Sequence, residues 1–150
     1  MFKQLIGKIW RKMPRFLLTK AVRLTQAKFT VSVAAVIMNS EGEILLLDHV
    51  LRPASGWGIP GGFINHGEQP EDALRRELCE ETGLELENVK LFRVRVLKKH
   101  VEFIFTANPK GKAEVKSREI LTVEWFLPEN MPEEMSSIQK ATVEAVLQKS

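Results

Sequence analysis

The hydrophobic positions of the 150-residue chain follow two spacings, which predict strands and helices in alternation. Residues 29–38 are almost continuously apolar and rich in β-branched side chains, which is typical of a central strand. A turn at 39–42 and a second short apolar run at 43–47 predict that this strand continues into a hairpin. Further strands are expected at residues 89–97, 101–107 and 120–126.

A helix is predicted between these strands, from Pro70 to the residue before Gly83. Proline suits the first helical turn, and glycine is favoured just after the last one. Leu74 and Leu78 give this helix a buried face. A closing helix is expected over residues 133–148, and the whole order implies an α/β fold with a mixed sheet between helices.

The first part of the chain is basic and has the spacing of amphipathic helices, interrupted at Pro14. Residues 1–40 contain eight basic side chains and no acidic one, namely Lys3, Lys8, Arg11, Lys12, Arg15, Lys20, Arg23 and Lys28. Because the whole chain carries +3, the remaining residues carry −5. We therefore divide the chain into a basic helical arm, residues 1–27, and a domain, residues 28–150.

The arm allows three interpretations. Its apolar stripe, which includes Trp10, favours packing on the domain or across a homodimer, in which case deleting residues 1–28 lowers the melting temperature. The alternatives are binding of the basic face to an anionic membrane or to RNA phosphates.

Acidic residues are concentrated around the predicted helix of residues 70–82: Glu68, Glu71, Asp72, Glu77, Glu80 and Glu81. Glu77, Glu80 and Glu81 fall at i, i+3 and i+4, so they project from one helix face and repel one another. A hard divalent cation, Mg²⁺ or Mn²⁺, would neutralise such a cluster. The preceding segment, residues 61–67, is predicted to be a glycine-rich loop whose backbone can approach a ligand closely.

Gly62, Glu68 and the run 76–84 (RELCEETGL) stand at the spacing of the Nudix box, and the preceding residues 57–61 (WGIPG) are also similar to that family. The resemblance implies an α/β/α sandwich and a divalent-metal-dependent pyrophosphohydrolase that cleaves a diphosphate linkage by water attack on phosphorus. It implies that the Gly61 carbonyl and the carboxylates of Glu77, Glu80 and Glu81 bind the metal. It also implies that Arg76 pairs with Glu68 and braces the loop against the helix.

Four further residues are candidates for the same site. Glu119 resembles the downstream carboxylate that many Nudix enzymes use as a metal ligand or as the base for the attacking water, with Glu77 and Glu80 as rival bases. His49 stands where related enzymes often place an arginine against the substrate phosphate, and Arg52 is a possible substitute. His66 could contact phosphate, the alternative being a solvated loop residue.

The resemblance leaves the group attached to the diphosphate open. Residues 98–101 contain no proline and the chain contains no tyrosine, which lowers the expectation of ADP-ribose and diadenosine polyphosphate subfamilies. The remaining substrates are a nucleoside triphosphate or oxidised nucleotide, a nucleotide sugar, or the 5′ end of RNA. The alternative function is a non-catalytic Nudix-fold protein that binds or senses a nucleotide.

Composition places the domain in a reducing compartment. Cys79 is the single cysteine, which excludes an internal disulfide and predicts a cytoplasmic protein in which Cys79 is a small core residue. No apolar run approaches the length that spans a bilayer.

Overall fold

The computed structural model describes residues 10–52 and 56–149. The elements follow in the order α1 (Arg15–Thr25), β1 (Thr30–Ile37), β2 (Ile44–His49), β3 (Trp57–Gly58), β4 (Gly61–Phe63), α2 (Pro70–Thr82), β5 (Glu85–Leu97), β6 (His100–Lys110), β7 (Ile120–Phe126), a short 3₁₀ helix (Pro128–Asn130) and α3 (Ser137–Leu147).

The strands form two sheets in one central layer. The first has the order β4-β1-β6-β5 and is mixed, since β1 runs parallel to β6 and antiparallel to β4. The second, β3-β2-β7, is antiparallel throughout. The expected mixed sheet is therefore present, with an antiparallel sheet beside it.

Helices α2 and α3 cover opposite faces of this layer, which can be read from alternation along β1. Val33 and Ala35 belong to the core that includes Leu74 and Leu78 of α2, whereas Ala34 and Val36 belong to a second core with α3. Successive side chains of a strand point to opposite faces. The predicted α/β/α sandwich is confirmed.

The predicted hairpin between the first two strands is wrong. The turn at residues 39–42 exists, but β1 and β2 enter different sheets, joined only by the isolated bridge between Met38 and Ile44. Both edges of β1 are already occupied, by β4 and by β6. Strand β2 therefore pairs with β3 and β7 instead.

The structure confirms some of the predictions for the helices and the segments beside them and contradicts others. Helix α2 begins at Pro70 and ends before Gly83, as expected. The segment predicted as a loop is in its first three residues strand β4. The closing helix begins at Ser137 because the side chain of Ser136 accepts a hydrogen bond from the Gln139 backbone N–H and caps it. Cys79 is exposed, so its predicted core position is wrong.

The arm is the largest departure from expectation. Helix α1 has no buried residue, and Phe16 and Leu24 are 71% and 78% exposed. The prediction that the arm packs its apolar stripe on the domain is therefore wrong for residues 10–28, while residues 1–9 lie outside the described part. Packing across a homodimer stays a prediction. Within the described residues, no helix has the length and apolar character needed to cross a bilayer.

We predict that two leucine truncations will separate core from arm. Leu74 is fully buried, so Leu74→Ala should lower the free energy of unfolding by about 2–5 kcal/mol. The exposed Leu24 serves as the matched control, and Leu24→Ala should change it by less than about 0.5 kcal/mol. Denaturant unfolding measures both values. A large loss for Leu24→Ala would contradict the exposure of the arm.

Candidate active site

Helix α2 is fixed in place by its apolar stripe and by signals at both ends. Glu71 and Asp72 in its first turn favour the positive end of the helix dipole. At its C-terminus Gly83 takes the left-handed conformation with φ 71°, and its N–H binds the Cys79 carbonyl. Because Leu78 is buried against the sheets, Glu81 in the next turn is drawn to the edge of the core and is only 7% exposed.

Strand β4 lies very close to its neighbours at two glycines, against backbone at Gly61 and against a side chain at Gly62. A Cβ on Gly61 would stand 2.2 Å from the Val33 carbonyl oxygen of β1. A Cβ on Gly62 would stand 2.3 Å from the carboxyl carbon of Glu77 on helix α2. The two glycines therefore allow the β4 backbone to lie directly against the Glu77 carboxylate.

The expected pair of Arg76 and Glu68 is present and joins the loop to the helix. The Arg76 Nε–Glu68 Oε1 distance is 2.8 Å and the Nη2–Oε2 distance is 2.9 Å. Glu68 also accepts a hydrogen bond from the Asn65 backbone N–H, and Arg76 donates to the Phe63 carbonyl. The hydrogen bonds from Arg76, followed by that from Asn65, lower the pKa of Glu68 to about 2, so the pair is charged at neutral pH.

A cavity of about 380 Å³ opens beside these residues, between strand β4, helix α2 and the start of β7. It is lined by His49, Leu51, Arg52, Gly61, Gly62, Phe63, Asn65, Glu77, Glu81 and Glu119. Glu119 is brought there by its carbonyl, which accepts the Val50 N–H at 2.9 Å. The structure thus brings together six of the predicted site residues: Gly61, Glu77, Glu81, Glu119, His49 and Arg52.

Four predicted residues do not line this cavity: Glu68 and Arg76, which form the pair described above, and Glu80 and His66. The Glu80 side chain is 61% exposed, and its Oε2 lies 3.4 Å from Arg76 Nη1. His66 is exposed and lines a neighbouring cavity with Glu68 and Phe63. The structure therefore gives no support to a contact between His66 and a ligand in the carboxylate cavity.

The cavity also contains every buried side-chain polar atom that lacks a hydrogen-bond partner among the described residues. These atoms are His49 Nε2, Arg52 Nη1 and Glu81 Oε2. Buried polar groups are normally hydrogen-bonded, and an unsatisfied one costs about 1–3 kcal/mol. Three such atoms in one cavity indicate a site whose partners are supplied by a ligand.

Burial changes the ionisation of these groups. It raises the pKa of Glu81 to about 7, with Glu77 adding to the effect and Arg52 opposing it. Burial, followed by the charge of Arg52, lowers the pKa of His49 to about 4, so its imidazole is neutral at neutral pH. The pKa of Arg52 is also lowered by burial, against the attraction of Glu81 and Glu102. Arg52 nevertheless remains a cation.

The donors in the cavity fit a hard divalent cation. Carboxylate oxygens from Glu77, Glu81 and Glu119 are the ligand type that Mg²⁺ and Mn²⁺ prefer. Among the described residues, no three acidic, histidine or cysteine side chains converge in metal-binding geometry. Arg76 Nη1 lies 2.8 Å from the Glu77 carboxylate. Glu81 Oε2 is the carboxylate oxygen of this cavity that is buried without a hydrogen-bond partner among the described residues.

Sequence reasoning missed the contributions of Leu51, Phe63 and Gln139. Leu51 and Phe63 are exposed at the cavity and offer apolar surface beside the carboxylates. Gln139 of helix α3 accepts the Ile59 N–H at 3.0 Å. A Cβ on Gly58 would overlap both Arg52 Nη1 and Gln139 Oε1, so these two side chains meet over that glycine. Gly58 was the one indication in the sequence that side chains pack closely here. Gln139, which packs there, comes from a distant segment of the chain and could not be identified from the sequence.

Comparison with known proteins agrees with this geometry. The family model described as NUDIX domain matches residues 28–146. The chain is 33% identical over 112 residues to a MutT-like protein of Streptomyces ambofaciens, which covers 73% of this chain and 71% of that protein. It is 33% identical over 106 residues to the 8-oxo-dGDP phosphatase NUDT18 of Homo sapiens, covering 67% of this chain but only 33% of that protein.

Over a shorter stretch of 63 residues, the chain is 43% identical to an RNA pyrophosphohydrolase of Pseudomonas fluorescens. This match covers 38% of that protein. Among solved structures, a MutT NUDIX hydrolase of Burkholderia pseudomallei superposes with a TM-score of 0.71 at 27% identity, over 79% of this chain and 98% of the other. The box, the glutamate cavity and these matches lead to one conclusion: the chain belongs to the Nudix family of hydrolases and is a pyrophosphohydrolase.

Proposed function

We propose that this enzyme uses Mg²⁺ or Mn²⁺ to cleave a diphosphate linkage in a nucleoside-diphosphate-linked substrate, by attack of water on phosphorus. The observation that carries the proposal is the set of unpartnered buried atoms of His49, Arg52 and Glu81 in a cavity with two further carboxylates. A polyphosphate accompanied by a divalent cation matches all three atoms. Its oxygens accept hydrogen bonds from Arg52 and His49, and its cation binds Glu81.

The cation-binding side of the cavity consists of Glu77, Glu81, Glu119 and the Gly61 carbonyl, with Glu80 joining from the solvent side. When bound, the cation supplies charge neutralisation on the phosphates and a lowered pKa for water. Gly62 keeps the β4 backbone against Glu77. Arg76 and Glu68 act as positioning residues, because their paired hydrogen bonds hold the loop to helix α2.

Glu119 is the favoured base for the attacking water. The Glu77 Oε1 atom already accepts a hydrogen bond from Arg76 Nη1 at 2.8 Å, so this oxygen is engaged within the protein. Glu80 does not line the cavity. Glu119 lies just before strand β7 and reaches the cavity from a segment other than the box helix, so its carboxylate can accept a proton from water bound there.

The nucleoside end of the substrate is expected at the exposed apolar side chains of Phe63 and Leu51, which are 64% and 85% exposed. Their position beside the phosphate-binding groups supports a substrate with a flat apolar group, such as a nucleobase. The names of two relatives support an oxidised nucleotide and an RNA end as substrates. A nucleoside triphosphate and a nucleotide sugar are further candidates. A substrate screen with Mg²⁺ and Mn²⁺, with products resolved by chromatography, tests these classes.

We predict that Glu81→Gln and Glu80→Gln will each lower turnover by about 10²-fold or more, equivalent to about 2.7 kcal/mol of barrier. The substitutions keep side-chain size and remove an anionic ligand. Glu71→Gln is the matched control, because Glu71 lies on the same helix, pairs with Arg75 and is far from the cavity lining. Its turnover should equal that of the parent. Near-normal turnover of Glu81→Gln would show that the cation is held elsewhere.

A second prediction concerns the stability of the metal-free protein. The pKa of Glu81 is raised from 4.5 to about 7 in the folded state, so folding favours its protonated form. This contribution is fully present below about pH 4.5 and is lost as the pH rises through about 7. Without metal, Glu81→Gln should therefore melt higher than the parent at about pH 8, by about 2–4 °C for each kcal/mol released.

The melting difference should shrink as the pH falls from about 8 to about 5, since Glu81 then becomes neutral in the parent as well. Thermal unfolding in chelator at several pH values measures it. Glu71→Gln should show no such pH-dependent gain. A Glu81→Gln protein that melts below the parent at about pH 8 would contradict the raised pKa.

A further inference from the structure

The arm and one hairpin tip meet to form a single surface, which we call the basic surface. It consists of residues 10–29 and of residues 96–99, the tip between β5 and β6. The junction is fixed by the backbone, because the Thr30 N–H donates to the Lys99 carbonyl at 3.0 Å and Thr30 is paired with His100. The C-terminal end of the arm therefore lies beside the hairpin tip, although the two segments are far apart in sequence.

The basic surface has one sign of charge. The arm contributes Arg11, Lys12, Arg15, Lys20, Arg23 and Lys28, and the tip contributes Lys98 and Lys99. Neither segment contains an aspartate or glutamate. An anionic partner would complement these charges, since no acidic side chain within either segment offsets them.

The same surface exposes large apolar side chains. Phe16, Leu24 and Val96 are 71%, 78% and 62% exposed, and Trp10, Phe29 and Leu97 are between 44% and 46% exposed. On helix α1, Leu17, Ala21 and Leu24 follow one another at i, i+4 and i+7 on one face, while Arg15, Thr19 and Arg23 follow one another on the other. Exposed apolar and basic residues in this arrangement are typical of helices that lie in a membrane interface.

We propose that the basic surface docks on an anionic membrane, with helix α1 lying in the plane of the headgroups. RNA would pair with the lysines and arginines but would leave residues such as Leu24 and Val96 in water. A second copy of the chain would cover apolar side chains but would bring two positive surfaces together. Anionic lipid satisfies both features, because its headgroups pair with the basic residues and its interface covers the apolar ones.

The test is co-sedimentation of the full chain with phosphatidylcholine vesicles and with vesicles that contain about one-third phosphatidylglycerol. We expect binding to the anionic vesicles alone, weakened by salt. The double variant Lys98→Gln/Lys99→Gln should bind about tenfold to thirtyfold more weakly. Lys110→Gln/Lys112→Gln removes the same charge at the opposite end of β6, where Lys110 is the last residue of the strand, and is the matched control. It should bind as the parent does.

A second pair of variants tests the apolar contribution at constant charge. Leu24→Ser should weaken binding to anionic vesicles, whereas Leu121→Ser, which changes a leucine 61% exposed on β7, should not. Absence of binding to anionic vesicles would overturn the proposal. So would binding to an RNA oligonucleotide in place of vesicles, or self-association that Leu24→Ser abolishes while vesicle binding is absent. Turnover of small nucleotides by these variants separates this result from the proposed function.

Discussion

The close approach of the Gly61–Gly62 backbone to helix α2 is the constraint on which the site depends. It places strand β4 between β1 on one side and the Glu77 carboxylate on the other, and a Cβ on Gly61 would overlap the backbone of β1. The paired hydrogen bonds of Arg76 and Glu68 hold the loop that follows β4 to the same helix. As a result, the β4 backbone and the acidic face of helix α2 are held next to each other by residues of the chain itself.

This arrangement carries an electrostatic cost that the two cores must offset. Glu81 is 7% exposed, and its pKa is raised to about 7 by burial and by Glu77. Arg52 reduces that cost from across the cavity, while Arg76 engages Glu77 from the solvent side. A divalent cation would relieve the same repulsion, so the features that make the metal-free site unfavourable are those that suit it to a metal and a polyphosphate.

Much of the site could be predicted from sequence because its determinants are local. Pro70 and Gly83 mark the bounds of helix α2, and the fixed spacing of Glu68 and Arg76 anticipates their pair. The hairpin error had a non-local cause, since the partners of β1 come from residues 61–63 and 100–107.

The remaining differences between the sequence predictions and the structure concern the direction and the exposure of side chains, which residue type alone does not determine. Glu80 turns toward solvent although it belongs to the acidic face, and Cys79 is exposed although cysteine is usually buried. The apolar stripe of the arm was expected to be core, but helix α1, in the part of the arm that the structure describes, has no buried residue.

Titration of the metal-free enzyme with Mn²⁺ by calorimetry tests the central claim, that Glu81 anchors the cation. We predict saturable binding to the parent and to Glu71→Gln, and binding weaker by about tenfold or more to Glu81→Gln. Equal affinity of Glu81→Gln and the parent would contradict it.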